Sequence, residues 1–141
     1  MILVDTNVIS EPMKGGDPRI AAWLDRQAAE TLFISTVSVA EILFGVAALP
    51  AGKRRTRLAE AFESEILSLF EGRIMSFDLP AARAYAAVMS GAQARGLSLS
   101  VSDGQIAAIA VANELLVATR DEAPFNAAGV KTVNPWTEQT S

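Results

Sequence analysis

Four acids are spaced so that they could share one chemistry: Asp5, Glu41, Asp103 and Asp121. Asp5 and Asp121 each follow a short apolar run, Ile2-Leu3-Val4 and Leu116-Val117-Ala118. Buried parallel strands read this way, and ligands in open α/β sheets bind beyond the carboxyl ends of such strands. Glu41 and Asp103 fall inside helical patterns. Glu41 lies beside an apolar stripe, and Asp103 opens the segment carrying Ile106, Ala107, Ile109 and Ala110. If the four converge, their charges repel and raise the pKa of at least one. A divalent cation relieves that repulsion, and Mg²⁺ in particular takes oxygen ligands, keeps waters and needs few protein carboxylates. The chain contains no histidine and no cysteine. Disulfides, thiolate catalysis, histidine bases, cysteine/histidine zinc sites and the Ser-His-Asp triad are therefore excluded.

Each acid also has a purely structural reading. Asp5 can cap the turn at Val8-Ile9. Ser38-x-x-Glu41 has the form of a capping box, in which Glu41 returns to the Ser38 backbone. Asp103 suits the first turn of a helix, where the dipole favours an acid, with Ser102-x-x-Gln105 as the box. Asp121 can be an ordinary loop residue.

The elements that would position these acids follow from periodicity. At 141 residues, one domain spanning residues 1–141 is expected. After the first strand, Val8-Ile9 predicts a brief helical turn stopped by Pro12. Asp17-Pro18 predicts an N-cap and first helical residue, opening a helix that ends near Glu30. Leu32-Phe33-Ile34 reads as a second strand. Val37 to Leu49 reads as a helix with Val37, Ala40, Phe44 and Ala47 inward. Pro50-Ala51-Gly52 breaks it, and a second helix is predicted from Lys53 to Phe70, with Leu58, Ala61, Phe62, Ile66, Leu69 and Phe70 on its apolar side, forming a hairpin with the first. Ile74 to Phe77 reads as a strand and Asp78 as the start of a helix closing at Arg95-Gly96. Ser102 to Asn113 is helical, Leu116 to Ala118 a strand, and Val130 to Val133 a short final one. Short strands between amphipathic helices predict an α/β fold with a mostly parallel sheet covered on both faces. The pattern does not dictate strand order.

Charge and composition narrow the partners. Twelve basic against sixteen acidic residues give a formal charge of −4, which argues against a nucleic-acid binder that uses its whole surface. Lys53, Arg54, Arg55 and Arg57 form the one dense basic run, readable as a solvated hairpin tip, as an edge that guides phosphates, or as a seat for an acidic partner. Phe33, Phe44, Phe62 and Phe70 read as core. Trp23, Tyr85 and Trp136 read as core or partner contacts. The first residues lack a basic leader pattern, and no apolar run approaches the roughly 18 residues of a membrane span. The expectation is a cytoplasmic protein with no membrane segment.

Several stretches, in order, resemble the PIN-domain nucleases, specifically the VapC-type toxins and among them the FitB-like branch. They are Ile2-Leu3-Val4-Asp5-Thr6-Asn7, Ile34-Ser35-Thr36-Val37-Ser38-Val39-Ala40-Glu41-Ile42, Gly45-Val46, Ser102-Asp103-Gly104-Gln105-Ile106-Ala107, Leu116 to Asp121, and Val133-Asn134-Pro135-Trp136. The resemblance implies a three-layer α/β/α sandwich. It also implies that Asp5, Glu41, Asp103 and Asp121 surround one or two Mg²⁺ ions, with Mn²⁺ as substitute. Asp5 and Asp121 are then the closest ligands. Thr6, Asn7, Thr119 and Arg120 become supports or phosphate contacts. The implied activity is hydrolysis of RNA phosphodiester bonds, leaving 5′-phosphate and 3′-hydroxyl ends. The implied partners are a VapB- or FitA-like antitoxin that carries the DNA-binding domain and a second copy of the chain. Two other readings stand beside this one: a DNA nuclease, and a PIN scaffold with weak or no catalysis that serves as an interaction subunit.

Overall fold

The structure is a computed structural model and describes residues 1–138. Five short strands form one sheet: β1 (Ile2–Val4), β2 (Leu32–Ser35), β3 (Ile74–Met75), β4 (Leu116–Ala118) and β5 (Thr132–Val133). Their order is β3-β2-β1-β4-β5 and every pairing is parallel. The chain therefore builds outward from β1 through β2 to β3, then crosses back to place β4 on the other side of β1. That reversal creates a switch point between β1 and β4, where the carboxyl ends of two central strands flank a crevice.

Side chains alternate across the sheet, so adjacent residues feed opposite layers. Leu3 and Val117 pack with Ala81, Val88, Ile106, Ile109 and Phe125. Those residues come from α6 (Leu79–Ala94), α7 (Val101–Ala112) and α8 (Ala123–Ala127). Val4, Ile34 and Ala118 pack on the other side with Val8, Ile20, Trp23, Ile42 and Phe62. Those belong to α1 (Thr6–Met13), α2 (Pro18–Arg26), α3 (Thr36–Ala47) and the helix that opens as α4 (Lys53–Ala61). Two apolar layers on one parallel sheet make the expected three-layer α/β/α sandwich.

Several local expectations are corrected. Helix α1 starts at Thr6 and keeps Pro12 inside its last turn. A proline this late forfeits one backbone bond and does not prevent the turn before it. The helix then closes in a Schellman turn, with Gly15 N–H on the Pro12 carbonyl, Gly16 N–H on the Glu11 carbonyl and Gly15 at φ +67°. Helix α2 ends at Arg26, not near Glu30, because Gln27 turns extended and its side chain caps the Trp23 carbonyl. Residues 29–31 form a separate 3₁₀ turn.

The predicted helix from Lys53 to Phe70 contains a π turn at Phe62–Ile66 before α5 (Leu67–Leu69). The extra residue of a π turn sets later positions back by about 100°. Phe70 thereby comes under the sheet and Leu69, on the predicted apolar side, turns out to 63% exposure. Phe44 is the larger surprise: it is 76% exposed. The buried side of α3 is Ser38, Ile42 and Val46, and a stripe containing a serine is invisible to hydrophobic periodicity. Helix α8 was not legible in advance, and Val130 is buried outside β5.

Candidate functional site

The switch point is built by register. Val4 pairs with Ala118, so the next residues, Asp5 and Thr119, leave the sheet side by side. Asp5 N–H continues the ladder to the Ala118 carbonyl at 2.8 Å. The Asp5 side chain then does two things. Its Oδ1 accepts the Thr6 N–H at 2.8 Å and so caps α1. Its Oδ2 accepts the Thr119 hydroxyl at 2.8 Å. The capping role foreseen for Asp5 is real, and it leaves each oxygen a lone pair for a further ligand.

Asp5 is 6% exposed, and its pKa is pushed up to about 6. Burial is the main cause, since it penalises the charged form. Hydrogen bonds from Thr119 and Thr6 oppose the rise, and the charges of Asp103 and Glu41 add to it. Asp103 and Glu41 thus lie near enough for their charges to act on Asp5, although they are 98 and 36 positions from it along the chain. Among the described residues, the ion pairs are Lys14–Glu11 and Arg19–Asp17, and none involves the four acids.

Glu41 is brought in by Thr6. The Thr6 hydroxyl donates to Glu41 Oε1 at 2.8 Å and lies 3.0 Å from Ser38 Oγ. The Ser38–Glu41 capping box is overturned. Ser35 caps α3, its Oγ accepting the Ser38 N–H at 3.0 Å, and Ser38 lies wholly buried inside the helix. The box proposed at Ser102 is likewise displaced, because Ser100 is the N-cap and its Oγ accepts the Asp103 N–H at 3.1 Å. Asp103 thus sits in the first turn of α7, half-buried. The next residue, Gly104, is buried where a Cβ would come within 2.6 Å of Met89 Sδ, so its lack of a side chain lets α6 lie close against the turn carrying Asp103.

Asp121 is exposed just past β4. Its N–H donates to Thr119 Oγ1 at 3.2 Å. Thr119, wholly buried, therefore links the Asp121 backbone to the Asp5 carboxylate. Asn7 Oδ1 accepts the Arg120 N–H at 3.4 Å. The Arg120 guanidinium lies over the Trp136 ring, 5.4 Å from its centroid.

The basic run divides. Lys53, Arg54 and Arg57 are exposed, whereas Arg55 is half-buried and donates to the Leu49 carbonyl at 3.4 Å. Only Arg54 of the four lines the groove that contains Thr6 and Glu41, and Lys14, which sequence patterning passed over, lines it too. Sequence reading also gave no role to Ser100 or Asn134. Their signal was a lone polar residue in an apolar or turn context, too common to single out.

The donor set fits a hard divalent cation. It is all oxygen, one member is buried, and among the described residues none of the four acids is in an ion pair. Among the described residues no three acidic side chains form a preassembled cage. A Mg²⁺ that keeps several waters needs only one or two protein carboxylates. No helix among the described residues is long and apolar enough to cross a membrane.

The PIN domain family model matches residues 2–131. The chain is 50% identical over 137 residues to VapC ribonuclease Y4jK of Sinorhizobium fredii, covering 96% of this chain and 98% of that one. It is 47% identical to Toxin FitB of Neisseria gonorrhoeae, covering 96% and 99%. A solved structure of FitAB bound to an IR36 DNA fragment superposes with a TM-score of 0.94 at 45% identity, covering 99% of each chain.

Proposed function

The chain belongs to the PIN-domain family, and we propose that it is the toxin of a toxin–antitoxin pair, acting as a divalent-metal-dependent endoribonuclease. The relatives named as a VapC ribonuclease and a toxin support both halves of this reading. The observation that carries the metal is the Asp5 carboxyl, buried at a strand end, raised to about 6 and close enough to Asp103 and Glu41 to feel their charges.

Asp5 and Asp121 would hold the ion most closely, with Asp103 and Glu41 completing the oxygen set directly or through water. When bound, a Mg²⁺ or Mn²⁺ ion supplies an activated water and neutralises charge on the phosphodiester. The protein's part is orientation. Thr119 and the Thr6 N–H fix both Asp5 oxygens, and each oxygen keeps a free lone pair. Thr6 holds Glu41 by one oxygen and leaves the other to a water or an ion. Arg54, in the groove that reaches Glu41, guides the backbone of the RNA strand. The matched FitAB structure, bound to an IR36 DNA fragment, supports an antitoxin partner, to which this reading gives the DNA contact.

Matched RNA and DNA oligonucleotides, assayed with Mg²⁺ and with Mn²⁺, test the reading. RNA should be cut and DNA spared, with cleavage abolished by chelator. Asp5→Ala should lower the rate by at least about 100-fold, the range seen when a preorganised charge-stabilising group is lost, with circular dichroism unchanged. Metal-dependent cleavage that survives this substitution would overturn the site. Equal cutting of DNA would overturn the substrate.

A further inference from the structure

Asp121 has a problem that Asp5 does not. It is exposed, lies in a loop, and among the described residues no hydrogen bond reaches its carboxylate. Its position depends on the backbone around it. The Thr119 hydroxyl holds the Asp121 amide from one side. The other support comes from the end of the chain, beyond β5.

There the Asn134 side chain uses both ends of its amide. Its Nδ2 donates to the Arg120 carbonyl at 3.2 Å, and its Oδ1 accepts the Trp136 N–H at 2.9 Å. The second bond forms an Asx turn, which brings the Trp136 ring under the Arg120 guanidinium. Pro135 is buried, and Trp23 Nε1 donates to Glu138 and ties the segment to α2. The peptide that joins Arg120 to Asp121 is thus held at its carbonyl by Asn134. The preceding peptide is held at its N–H by Asn7. Arg120 itself is occupied by the indole, where a stacked guanidinium stiffens the same loop.

We propose that Asn134 is a positioning residue for Asp121, acting through the Arg120 peptide, with Trp136 as the seat that keeps Arg120 in place. The proposal rests on the metal reading above. It assigns the Asn134-Pro135-Trp136 segment to the construction of the ion site, and it assigns Arg120 to the loop and not to the substrate. Residues that orient a metal ligand typically change affinity by about 10-fold or more when replaced.

Asn134→Ser separates the two bonds. Serine can still accept the Trp136 N–H, as Ser does in such turns, but it is too short to reach the Arg120 carbonyl. Mn²⁺ binding to the intact protein without RNA, followed by calorimetry, should weaken by about 10-fold. With RNA, kcat should fall while KM stays within about two-fold, because a ligand to the ion acts on the reaction and Arg120 does not bind substrate. Trp136→Phe, which keeps an aromatic ring but a weaker seat for the cation, should weaken Mn²⁺ in the same direction by a smaller factor, and it carries the test if Asn134→Ser fails to fold. Asp5→Asn and Asp121→Asn are the controls. If these two lose Mn²⁺ while both tail variants bind it like the parent, the positioning role is overturned and the metal site stands. If the two aspartate variants also bind like the parent, the metal assignment falls and takes the positioning role with it.

Discussion

Asp5 and Asp121 end neighbouring strands of the same sheet, yet the protein holds them in opposite ways. Asp5 is buried, with both carboxylate oxygens hydrogen-bonded and its pKa raised to about 6. Asp121 is exposed and placed only through its backbone. One wall of the site stores unfavourable charge in a rigid pocket, and the other relies on a strap from the far end of the chain. The difference follows from position. Asp5 leaves the sheet straight into α1, which covers it, whereas Asp121 lies two residues further out, in a loop that α8 does not cover. A site of this kind has its electrostatics set on one side and its adjustable geometry on the other.

The largest expected effect lies on the buried side and concerns stability without metal. A carboxyl whose folded pKa stands above its unfolded value of 3.8 binds protons more tightly when folded. It costs nothing below that value, where both states are protonated. The penalty grows as pH rises from 3.8 to about 6 and is fully present above. A shift of this size corresponds to about 3 kcal/mol. Asp5→Asn removes it, so chemical unfolding at pH 4 and at pH 7.5 should show the variant gaining on the parent by up to that amount at the higher pH. Asp121→Asn leaves Asp5 in place and should keep the parent's slope. Equal flattening by both substitutions would erase the distinction between the two walls.

A smaller effect sharpens the same contrast. The charge of Asp103 helps to raise the Asp5 pKa. Asp103→Asn should therefore give a metal-free protein at least as stable as the parent above pH 6, together with Mn²⁺ binding weaker by about 10-fold and a corresponding loss of cleavage. Thermal unfolding with and without Mn²⁺ measures both. A variant that loses metal-free stability but binds Mn²⁺ normally would mark Asp103 as a helix-start residue only. The smallest effect is at the groove. Arg54→Gln should lower the salt dependence of RNA binding by somewhat less than one unit of slope, since one phosphate contact is lost. Arg55→Gln should leave that slope alone, because Arg55 is bonded to the Leu49 carbonyl.

How far the sequence could be read differs by element. The strands before Asp5 and Asp121, the Asp17 and Asp78 caps, and the parallel α/β class all followed from local pattern, because a cap or a buried strand is specified by residues within a few positions of each other. The three-layer fold and the family followed from the order of the resembling stretches, which spans almost the whole chain. Phe44 was misplaced because α3 is apolar on several sides and its burial is decided by Ser38, which hydrophobic periodicity counts as polar. Leu69 was misplaced because a π turn, which no residue in Phe62–Ile66 announces, shifts the phase of everything after it.

The sequence by itself determined which groups exist to do chemistry. Without histidine or cysteine, carboxylates at strand ends were the natural candidates, and their chemistry was readable from residue type alone. Tertiary structure decided what each carboxylate experiences. The parallel register sets Thr119 beside Asp5, burial raises the Asp5 pKa, Thr6 draws in Glu41 across 35 positions, and Asn134 clamps the loop of Asp121 across 14. Such effects depend on distance in space and on exclusion of water. Both come from packing between segments far apart in the chain, and no local pattern encodes them.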